Sequence, residues 1–482
     1  MTSILPIARH EWRQLVRSRV AVIGLVLVIL LSIVAAATAA AHREANADIR
    51  ARFQATADQR FDDQPARHPH RVVHYGHFVF RPLPALAAFD PGVDSFTGNM
   101  IYLEGHRQNS ANFGDVRQSS LLARFGLLTP AFVLQLLAPL VMIFVAFGIV
   151  ARDRDSGTLR QSLTLGVPAG RLLAGKLAAV GSIAGLLLLP AAVTLGWLVV
   201  GEGAAPLPAA ALLGGYAAYL LIWAVAIVAV SAFAKQARTA LLALLAVWTA
   251  TAVLLPRVAP TVALGAAPLP TRLENDIGIQ RDLRAMGDSH DPNDPFFTAF
   301  RERTLERYGV ARVEDLPVNY RGLLAVEGER MTSSLFDRYA ERQFAREREQ
   351  AATAGLISLL SPTMAMQRLS MAVAGTDLEG HRRFLSQAEA YRYDIVQRLN
   401  RMQAEALTYS DDSNRNRDIG AAQRVRIDPD NWRAVPDFAY RAATTTEKLH
   451  AALPSALVLG GWLLLGSILF RMAVRHVTRG NA

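Results

Sequence analysis

Long apolar runs alternate with polar segments along this chain of 482 residues. A membrane-spanning helix needs about 20 predominantly apolar residues, and six runs are close to that length or longer. The predicted spans are residues 20–41, 127–150, 177–200, 208–233, 239–264 and 454–470. The pattern therefore predicts a mainly α, polytopic membrane protein with six transmembrane helices.

Two long polar segments, residues 42–126 and 265–450, interrupt the series of spans. In the first, small and charged residues over 42–60 predict a helix, and strand-like pieces within 74–103 are bounded by Pro and Gly turns. In the second, apolar residues recur at helical spacing among alternating charges over 299–308, 320–350 and 382–407. We expect the two insertions to form a largely helical exoplasmic domain.

Residues 354–374 form a weakly apolar stretch that contains Pro362, Gln367 and Arg368. We interpret this stretch as an interfacial or core helix near the membrane, because ionisable side chains inside a bilayer are costly. A seventh span here would place the C-terminus outside, against its basic residues Arg471 and Arg475.

The composition is too apolar for an ordinary soluble enzyme. Hydrophobic residues make up 51% of the chain, charged residues make up 19%, and the mean hydropathy is +0.20. The chain contains no Cys, which excludes a disulfide framework, a thiolate nucleophile and any Cys-ligated metal.

The excess positive charge lies beside the apolar runs. Residues 42–127, 201–207 and 257–450 together hold 37 Lys and Arg and 38 Asp and Glu, whereas the rest of the chain holds 14 and 3. Segments rich in Lys and Arg remain in the cytoplasm by the positive-inside rule. We therefore expect the N-terminus (1–19), the segment 151–176 and the tail (471–482) to be cytoplasmic. The net charge of +10 then needs no nucleic-acid partner.

The first apolar run follows Arg9, Arg13, Arg17 and Arg19. A cleaved signal peptide is the alternative to an uncleaved anchor, because AAATAAA near Ala40 offers an A-x-A cleavage site. The run exceeds the roughly 7–15 residues of a signal-peptide core, which favours the anchor.

The usual catalytic motifs are absent from the sequence. The nearest candidate for a phosphate-binding loop, Gly175-Lys176, is followed by Leu177 instead of Ser or Thr, and neither G-x-S-x-G nor H-E-x-x-H occurs. We expect a protein that is not itself an enzyme.

The predicted spans are also nearly free of ionisable residues, which argues against an ion-coupled carrier. Gln135, the main polar side chain of the second span, is interpreted as a helix–helix hydrogen-bonding residue.

Two groups of polar residues could hold a metal ion. The histidines of an H-x-H-x3-H-x2-H pattern could bind Zn or Cu, but Pro69 prevents a regular helix from presenting them on one face, so surface or hydrogen-bonded roles are favoured. These residues are His68, His70, His74 and His77. The second group could bind Ca, but it lacks the expected Gly and closing Glu, so turn and capping roles are favoured. This group is Asp288, His290, Asp291, Asn293 and Asp294.

The segment 151–176, which we call the elbow, carries five Lys and Arg against two Asp between two predicted spans. Ser156-Gly157 predicts the end of one helix and the start of another. The acids can cap a helix and meet a basic partner surface, and an amphipathic helix can follow, with Leu159, Leu163 and Leu165 facing inward. The alternative is that the charges only set the orientation of the chain in the membrane.

The order of charged turn, Gly-Thr-Leu, Pro and Gly-Lys in the elbow resembles the first cytoplasmic loop of the ABC type-2 permease family, although many members carry Glu where this chain has Asp. In that family, the loop forms a short coupling helix against the ATPase subunit. The resemblance assigns ATPase coupling to Arg152, Asp153, Arg154, Asp155, Gly157, Thr158, Leu159, Arg160 and Lys176.

Residues 74–93, 287–295 and 361–392 are similar to a subgroup of these permeases with two large exoplasmic insertions, known as a domain of unknown function. The resemblance implies a permease subunit that pairs with itself or a similar permease above two ATPase subunits. ATP and Mg bind to the ATPase, and no cofactor binds this chain directly. The implied site is a bacterial inner membrane, with both termini in the cytoplasm and periplasmic proteins as further partners.

Two other functions remain open. A mechanotransmitting subunit would transmit force from an ATPase to a periplasmic partner without moving cargo. A membrane-anchored sensor or assembly protein would have no ATPase partner. The substrate and the direction of transport do not follow from the sequence.

Overall fold

The computed structural model describes residues 4–109, 128–287, 291 and 293–479. The N-terminal third begins with two helices, and a short helix and a hairpin follow. The elements are α1 (Ile4–Arg17), α2 (Arg19–Asp62), α3 (Pro69–Tyr75), β1 (His77–Phe80), α4 (Asp94–Thr97) and β2 (Met100–Leu103). The strands pair antiparallel, with His77 opposite Leu103 and Phe80 opposite Met100. The predicted strand-like pieces are therefore confirmed over His77–Phe80 and Met100–Leu103, whereas His74 and Tyr75 belong to α3.

The central part of the chain is a bundle of long apolar helices. Its elements are α5 (Pro130–Asp155), α6 (Thr158–Thr164), α7 (Ala169–Val200), α8 (Pro206–Phe233) and α9 (Ala237–Ala266). The C-terminal part returns to polar helices before a final long one. Its elements are α10 (Arg272–Met286), α11 (Pro295–Tyr308), α12 (Tyr320–Ile357), α13 (Pro362–Ala374), α14 (Leu378–Ala406), α15 (Tyr409–Asn414), α16 (Ile419–Arg424), α17 (Asp430–Arg433) and α18 (Thr445–Arg479). Short 3-10 turns lie at Ala85–Ala88, Val313–Asp315 and Ser358–Leu360.

Six of the helices are long and apolar enough to cross a membrane: α2, α5, α7, α8, α9 and α18. Each of the six sequence-predicted spans falls within one of them, apart from residues 127–129: helix α5 begins at Pro130, and residue 127 lies outside the described residues. The mainly α, membrane-spanning architecture is thus confirmed. The first of these helices is longer than a span: α2 runs unbroken for 44 residues, or about 66 Å at 1.5 Å per residue. The helix predicted over 42–60 is therefore a direct continuation of the first span.

Helix α8 lies at the centre of the bundle, where it packs against α7, α13 and α18. Its side chains Leu212, Tyr216, Trp223 and Ile227 are almost completely buried. By contrast, α18 exposes Leu457, Leu464 and Ile468 along its length, as expected of a helix with a lipid-facing side.

Proline residues in two of the long helices are each preceded by a wider π-helical turn. Val133–Leu137 forms such a turn before Pro139, and Thr249–Leu254 forms another before Pro256. Pro139 has no N–H to donate to the carbonyl oxygen of Gln135 four residues earlier. The hydroxyl of Tyr219 on α8 donates to that oxygen instead, at 2.7 Å. A neighbouring helix therefore satisfies the backbone group that the proline leaves free.

The two polar segments share hydrophobic cores, and we call residues 63–109 and 267–444 together the polar domain. Val72 and Val73 of α3 pack in one cluster with Leu399 of α14 and Trp432 of α17. Val79 of β1 and Ile101 of β2 pack with Phe384 of α14 in a second cluster. The polar domain is therefore one packed unit assembled from two separated parts of the chain.

Residues 354–374 do not form a span. They are divided among the end of α12, a 3-10 turn and α13. Helix α13 has 13 residues, fewer than the roughly 17 that a spanning helix needs. It is buried against α8 and α18, so it joins the polar domain to the bundle, in agreement with the expectation of a core helix.

Candidate functional site

The elbow contains a tight turn between α5 and α6, as Ser156-Gly157 predicts. Gly157 has φ +76°, a left-handed conformation that is open to glycine without strain. Thr158 donates its hydroxyl to the carbonyl oxygen of Asp153 at 3.2 Å, and Ser156 donates to the same oxygen at 3.3 Å. These bonds satisfy a carbonyl that the end of a helix leaves without an intrahelical partner.

A buried ion cluster holds the elbow to the N-terminal helix. The ammonium group of Lys176 on α7 is fully buried and lies 2.5 Å from Glu11 Oε1 and 2.6 Å from Asp153 Oδ2. Glu11 belongs to α1 and Asp153 to α5, so a single charge joins three helices. Since a buried charge must be paired, the cluster fixes the relative positions of these helices.

Three further contacts fix the elbow to α8 and α9. Arg154 donates to the carbonyl oxygens of Ala232 and Ala234 at the C-terminal end of α8, where the helix dipole favours a cation. The hydroxyl of Ser231 accepts hydrogen bonds from two backbone N–H groups of α5, those of Val150 and Ala151, at 3.0 and 3.1 Å. Asp155 Oδ2 accepts from the backbone N–H of Ala237 at 3.1 Å and so caps α9.

The residues assigned to ATPase coupling therefore divide into two groups. Asp153, Arg154 and Lys176 bind within the chain, and Leu159 is buried. The exposed members are Arg152, which lies over the Phe147 ring, together with Asp155, Gly157, Thr158 and Arg160. The exposed surface of the elbow is thus formed mainly by α6 and the turn before it.

The expectation for Leu165 is wrong. Leu159 faces inward and Leu163 is half-buried, as predicted, but the side chain of Leu165 is 83% exposed. The reason is that α6 ends at Thr164, so Leu165 no longer follows the helical repeat. It lies at the surface of the elbow.

Gln135 makes the helix–helix hydrogen bond expected of it. Its side-chain NH₂ donates to the Tyr216 hydroxyl at 2.8 Å, and that hydroxyl donates to Ser370 Oγ at 3.1 Å. The Tyr219 hydroxyl lies 3.0 Å from Thr363 Oγ1. Helices α5, α8 and α13 are therefore connected by one buried polar cluster, and Asp90 of the polar domain lies next to it.

Two of the four candidate histidines, His68 and His77, are buried beside acidic residues. His68 caps α3 by accepting from the His70 backbone N–H at Nδ1, and its Nε2 lies 3.1 Å from Asp412. Its pKa is lowered to about 3, first by burial and then by nearby arginines. His77 Nε2 lies 3.2 Å from Asp58, and burial lowers the pKa of His77 to about 4. His68 therefore has the hydrogen-bonded role that the sequence favoured, whereas His77 is buried against the Phe61 ring.

The other two predicted histidines, His70 and His74, lie together on α3 with their Nε2 atoms 3.1 Å apart. His106, which the sequence analysis did not single out, completes a group of three. The rings of His70 and His74 each lie 5.3 Å from the ring of His106. His106 follows β2 in a turn, some 30 residues from α3, so spacing along the chain could not reveal it.

The second group of candidate metal ligands lies partly outside the described residues, since Asp288 and His290 are not described. Of the remainder, Asp291 accepts from the backbone N–H of Asn293 at 2.9 Å. Asp294 caps α11 by accepting from the backbone N–H groups of Phe296 and Phe297. The favoured turn and capping roles are confirmed for these residues.

Glu11 of α1, which holds the elbow through Lys176, was not among the residues expected at this site. It is the first acid in the chain, and no other follows until Glu44. This isolation among four arginines marks Glu11 as a candidate for an ion pair but does not identify its partner.

Residues 272–441 match the model of a family described as Domain of unknown function (DUF3526). The match covers the larger part of the polar domain, from α10 to α17, and leaves the elbow outside. No curated protein matches the chain.

Proposed function

We propose that this chain is the membrane-spanning permease subunit of an ATP-driven transporter that works with a separate ABC ATPase subunit. The observation that supports this proposal is the structure of the elbow. The short exposed helix α6 follows a turn that is fixed to the bundle by the contacts of Lys176, Arg154 and Asp155. Through these contacts, α6 is attached to α5, α7, α8 and α9. A force on α6 would therefore reach four of the six membrane-crossing helices together.

The proposed assembly places two permeases, identical or similar, above two ATPases that bind ATP and Mg. The elbow and both termini face the cytoplasm of a bacterial cell, and the polar domain lies on the outer side of the inner membrane. ATP-driven closure of the ATPases pushes α6, and the membrane helices change their packing. The polar domain then receives, gates or hands over a cargo whose identity is open.

Copurification tests this proposal. The tagged chain is extracted from native membranes in detergent, and the proteins that remain bound are identified. We expect a stoichiometric nucleotide-binding subunit with the wild type. The double variant Arg160→Glu and Leu165→Asp should lose this subunit. Both side chains are exposed on the elbow, and neither belongs to the contacts described above that fix the elbow to the bundle.

The matched control makes the same two changes on the polar domain. Arg284→Glu with Leu273→Asp alters one exposed Arg and one exposed Leu of α10, and it should retain the subunit. If the wild type purifies without any nucleotide-binding subunit, the transporter proposal fails and a membrane-anchored sensor or assembly protein becomes the better account. Retention of the subunit by the elbow variant would remove α6 as its docking site.

One observation favours a second function, mechanotransmission without cargo. Helix α2 passes without a break from its apolar half into the part that packs on the polar domain, where Phe61 joins the first core cluster. Such a continuous helix can transmit movement of the bundle to the polar domain. Reconstituted vesicles that show ATP-dependent movement of the polar domain but no flux of any offered substrate would favour this function.

A further inference from the structure

Three histidines of the polar domain lie close enough together to share one ligand. One ring nitrogen from each of His70, His74 and His106 lies within 4.8 Å of the other two. Two imidazole nitrogens bound to Zn²⁺ at about 2.0–2.1 Å in a tetrahedral arrangement lie about 3.3 Å apart. The Nε2 atoms of His70 and His74 are already 3.1 Å apart, so small ring movements suffice to bring three nitrogens around one ion.

The backbone is shaped to bring His106 to this position. Gly105 packs so closely on α3 that an added Cβ would lie 2.2 Å from Val73 Cγ1. His106 itself has φ +59°, the sole positive φ among the described non-glycine residues. A non-glycine residue in this conformation is strained, and such strain persists where the surrounding structure holds it in place.

A buried carboxylate orients the His106 ring. Glu329 of α12 is fully buried, and its Oε2 lies 3.0 Å from His106 Nδ1 and accepts the His106 backbone N–H at 3.1 Å. Its Oε1 binds Arg392 at 2.6 Å. The Arg392 guanidinium balances the charge of the carboxylate, which accepts a hydrogen bond from His106 Nδ1.

This orientation leaves Nε2 of His106 for a ligand. Among the residues described, His106 Nε2 is buried and has no hydrogen-bond partner. A carboxylate that binds one imidazole nitrogen while the other ligates a metal is the usual outer support of metal-binding histidines.

We propose that His70, His74 and His106 form a metal centre for a divalent ion of the Zn²⁺ or Cu²⁺ type, with Glu329 as the residue that positions His106. Three imidazole ligands without a thiolate or carboxylate favour these ions over Ca²⁺ or Mg²⁺. His74 is exposed, so the ion is open to solvent at one position, which suits exchange or transfer of the metal. The proposal lies wholly within the polar domain and does not depend on the transport function.

Cobalt titration tests the centre. The full-length protein is purified in detergent through a tag without histidine, and Co²⁺ is added while the visible absorption is recorded. We expect about one Co²⁺ per chain with the intense bands of a four-coordinate site, displaced by Zn²⁺ or by Cu²⁺. Whichever of the two displaces Co²⁺ at the lower concentration identifies the preferred ion.

Variants of the protein show whether Co²⁺ binds at the group of three histidines or at other histidines on the surface. His74→Ala should abolish the bands, and because His74 is exposed the fold should survive. His106→Ala should do the same, and Glu329→Gln should weaken binding about 10–100-fold. His450→Ala removes an exposed histidine elsewhere and should leave the titration unchanged. A wild type without these bands, or bands that persist in His74→Ala, would overturn the proposal.

Discussion

Asp90 is a carboxyl group buried where the polar domain meets the bundle. Its Oδ1 accepts the backbone N–H of Gly92 at 3.0 Å, and its backbone carbonyl accepts the Thr376 hydroxyl at 2.9 Å. Burial raises the pKa of Asp90, and hydrogen bonds from Ser370, Gly92 and Gln135 only partly oppose that rise. The folded protein therefore binds a proton at this residue more tightly than the unfolded chain does.

The sign of the pH dependence follows from this difference. A group whose folded pKa is raised contributes stability that is complete below its unfolded pKa and is lost as pH rises through the folded pKa. As pH rises above the unfolded pKa, the Asp90 carboxyl group thus lowers the free energy of unfolding relative to its value at low pH. Asp90→Asn keeps an oxygen for the Gly92 N–H and removes the charge. We expect this variant to melt at a higher temperature than the wild type at about pH 8, with a smaller difference at about pH 5.

Thermal unfolding in detergent, recorded at a series of pH values, measures the effect. Asp48→Asn serves as control, because Asp48 is an exposed acid of α2 and the variant removes a charge without changing the site around Asp90. Equal melting temperatures of Asp90→Asn and wild type across the whole range would show that the ionised carboxylate is not disfavoured in the fold.

At the scale of elements, the apolar runs were enough to predict the six long helices, because a spanning helix must satisfy its own backbone hydrogen bonds. The end of α5 was predictable from Ser156-Gly157 for a similarly local reason. The contacts between elements were not. Nothing near Lys176 in the sequence indicates that Glu11, some 165 residues away, is its partner, and Leu165 was misplaced because the end of so short a helix cannot be read from spacing.

Lys176 decides how α1, α5 and α7 are held together. Lys176→Met removes the cation and leaves two acids, Glu11 and Asp153, without a buried counter-charge. Removing one partner of a buried pair costs about 3–5 kcal/mol. We expect a loss of that size in the free energy of unfolding, measured by titrating the purified protein with a denaturing detergent in mixed micelles.

Two comparisons make the Lys176 result specific. Arg171→Met removes an exposed cation five residues earlier on the same helix and should change the free energy little. The triple variant that also carries Glu11→Gln and Asp153→Asn removes the whole charge cluster, and it should recover much of the loss because no uncompensated charge remains. If Lys176→Met is as stable as Arg171→Met, the cluster does not hold the three helices.

At the scale of the molecule, the sequence predicted two polar insertions but not how they combine. Their shared cores pair residues far apart in the chain, such as Val73 with Trp432 and Val79 with Phe384. The group of three histidines arises in the same way, since α3 and the turn after β2 meet only in the folded domain. Glu329 comes from the other insertion. Composition and spacing along the chain indicate local structure only. The shared cores and the group of three histidines could not be predicted from them, because both depend on tertiary packing.

The orientation of the whole molecule can be measured directly because the chain contains no Cys. Single cysteines can be placed at exposed positions: Gln161→Cys on α6, Ala311→Cys in the polar domain and Thr478→Cys near the end of α18. A membrane-impermeant maleimide is then applied to intact spheroplasts and to inverted vesicles. The skewed distribution of Lys and Arg predicts that the elbow and the tail share the cytoplasmic side. We therefore expect labelling of Ala311→Cys in spheroplasts and of the other two in inverted vesicles. Labelling of Ala311→Cys and Gln161→Cys from the same side would place the polar domain beside the elbow, and force on α6 would then have no route across the membrane to that domain.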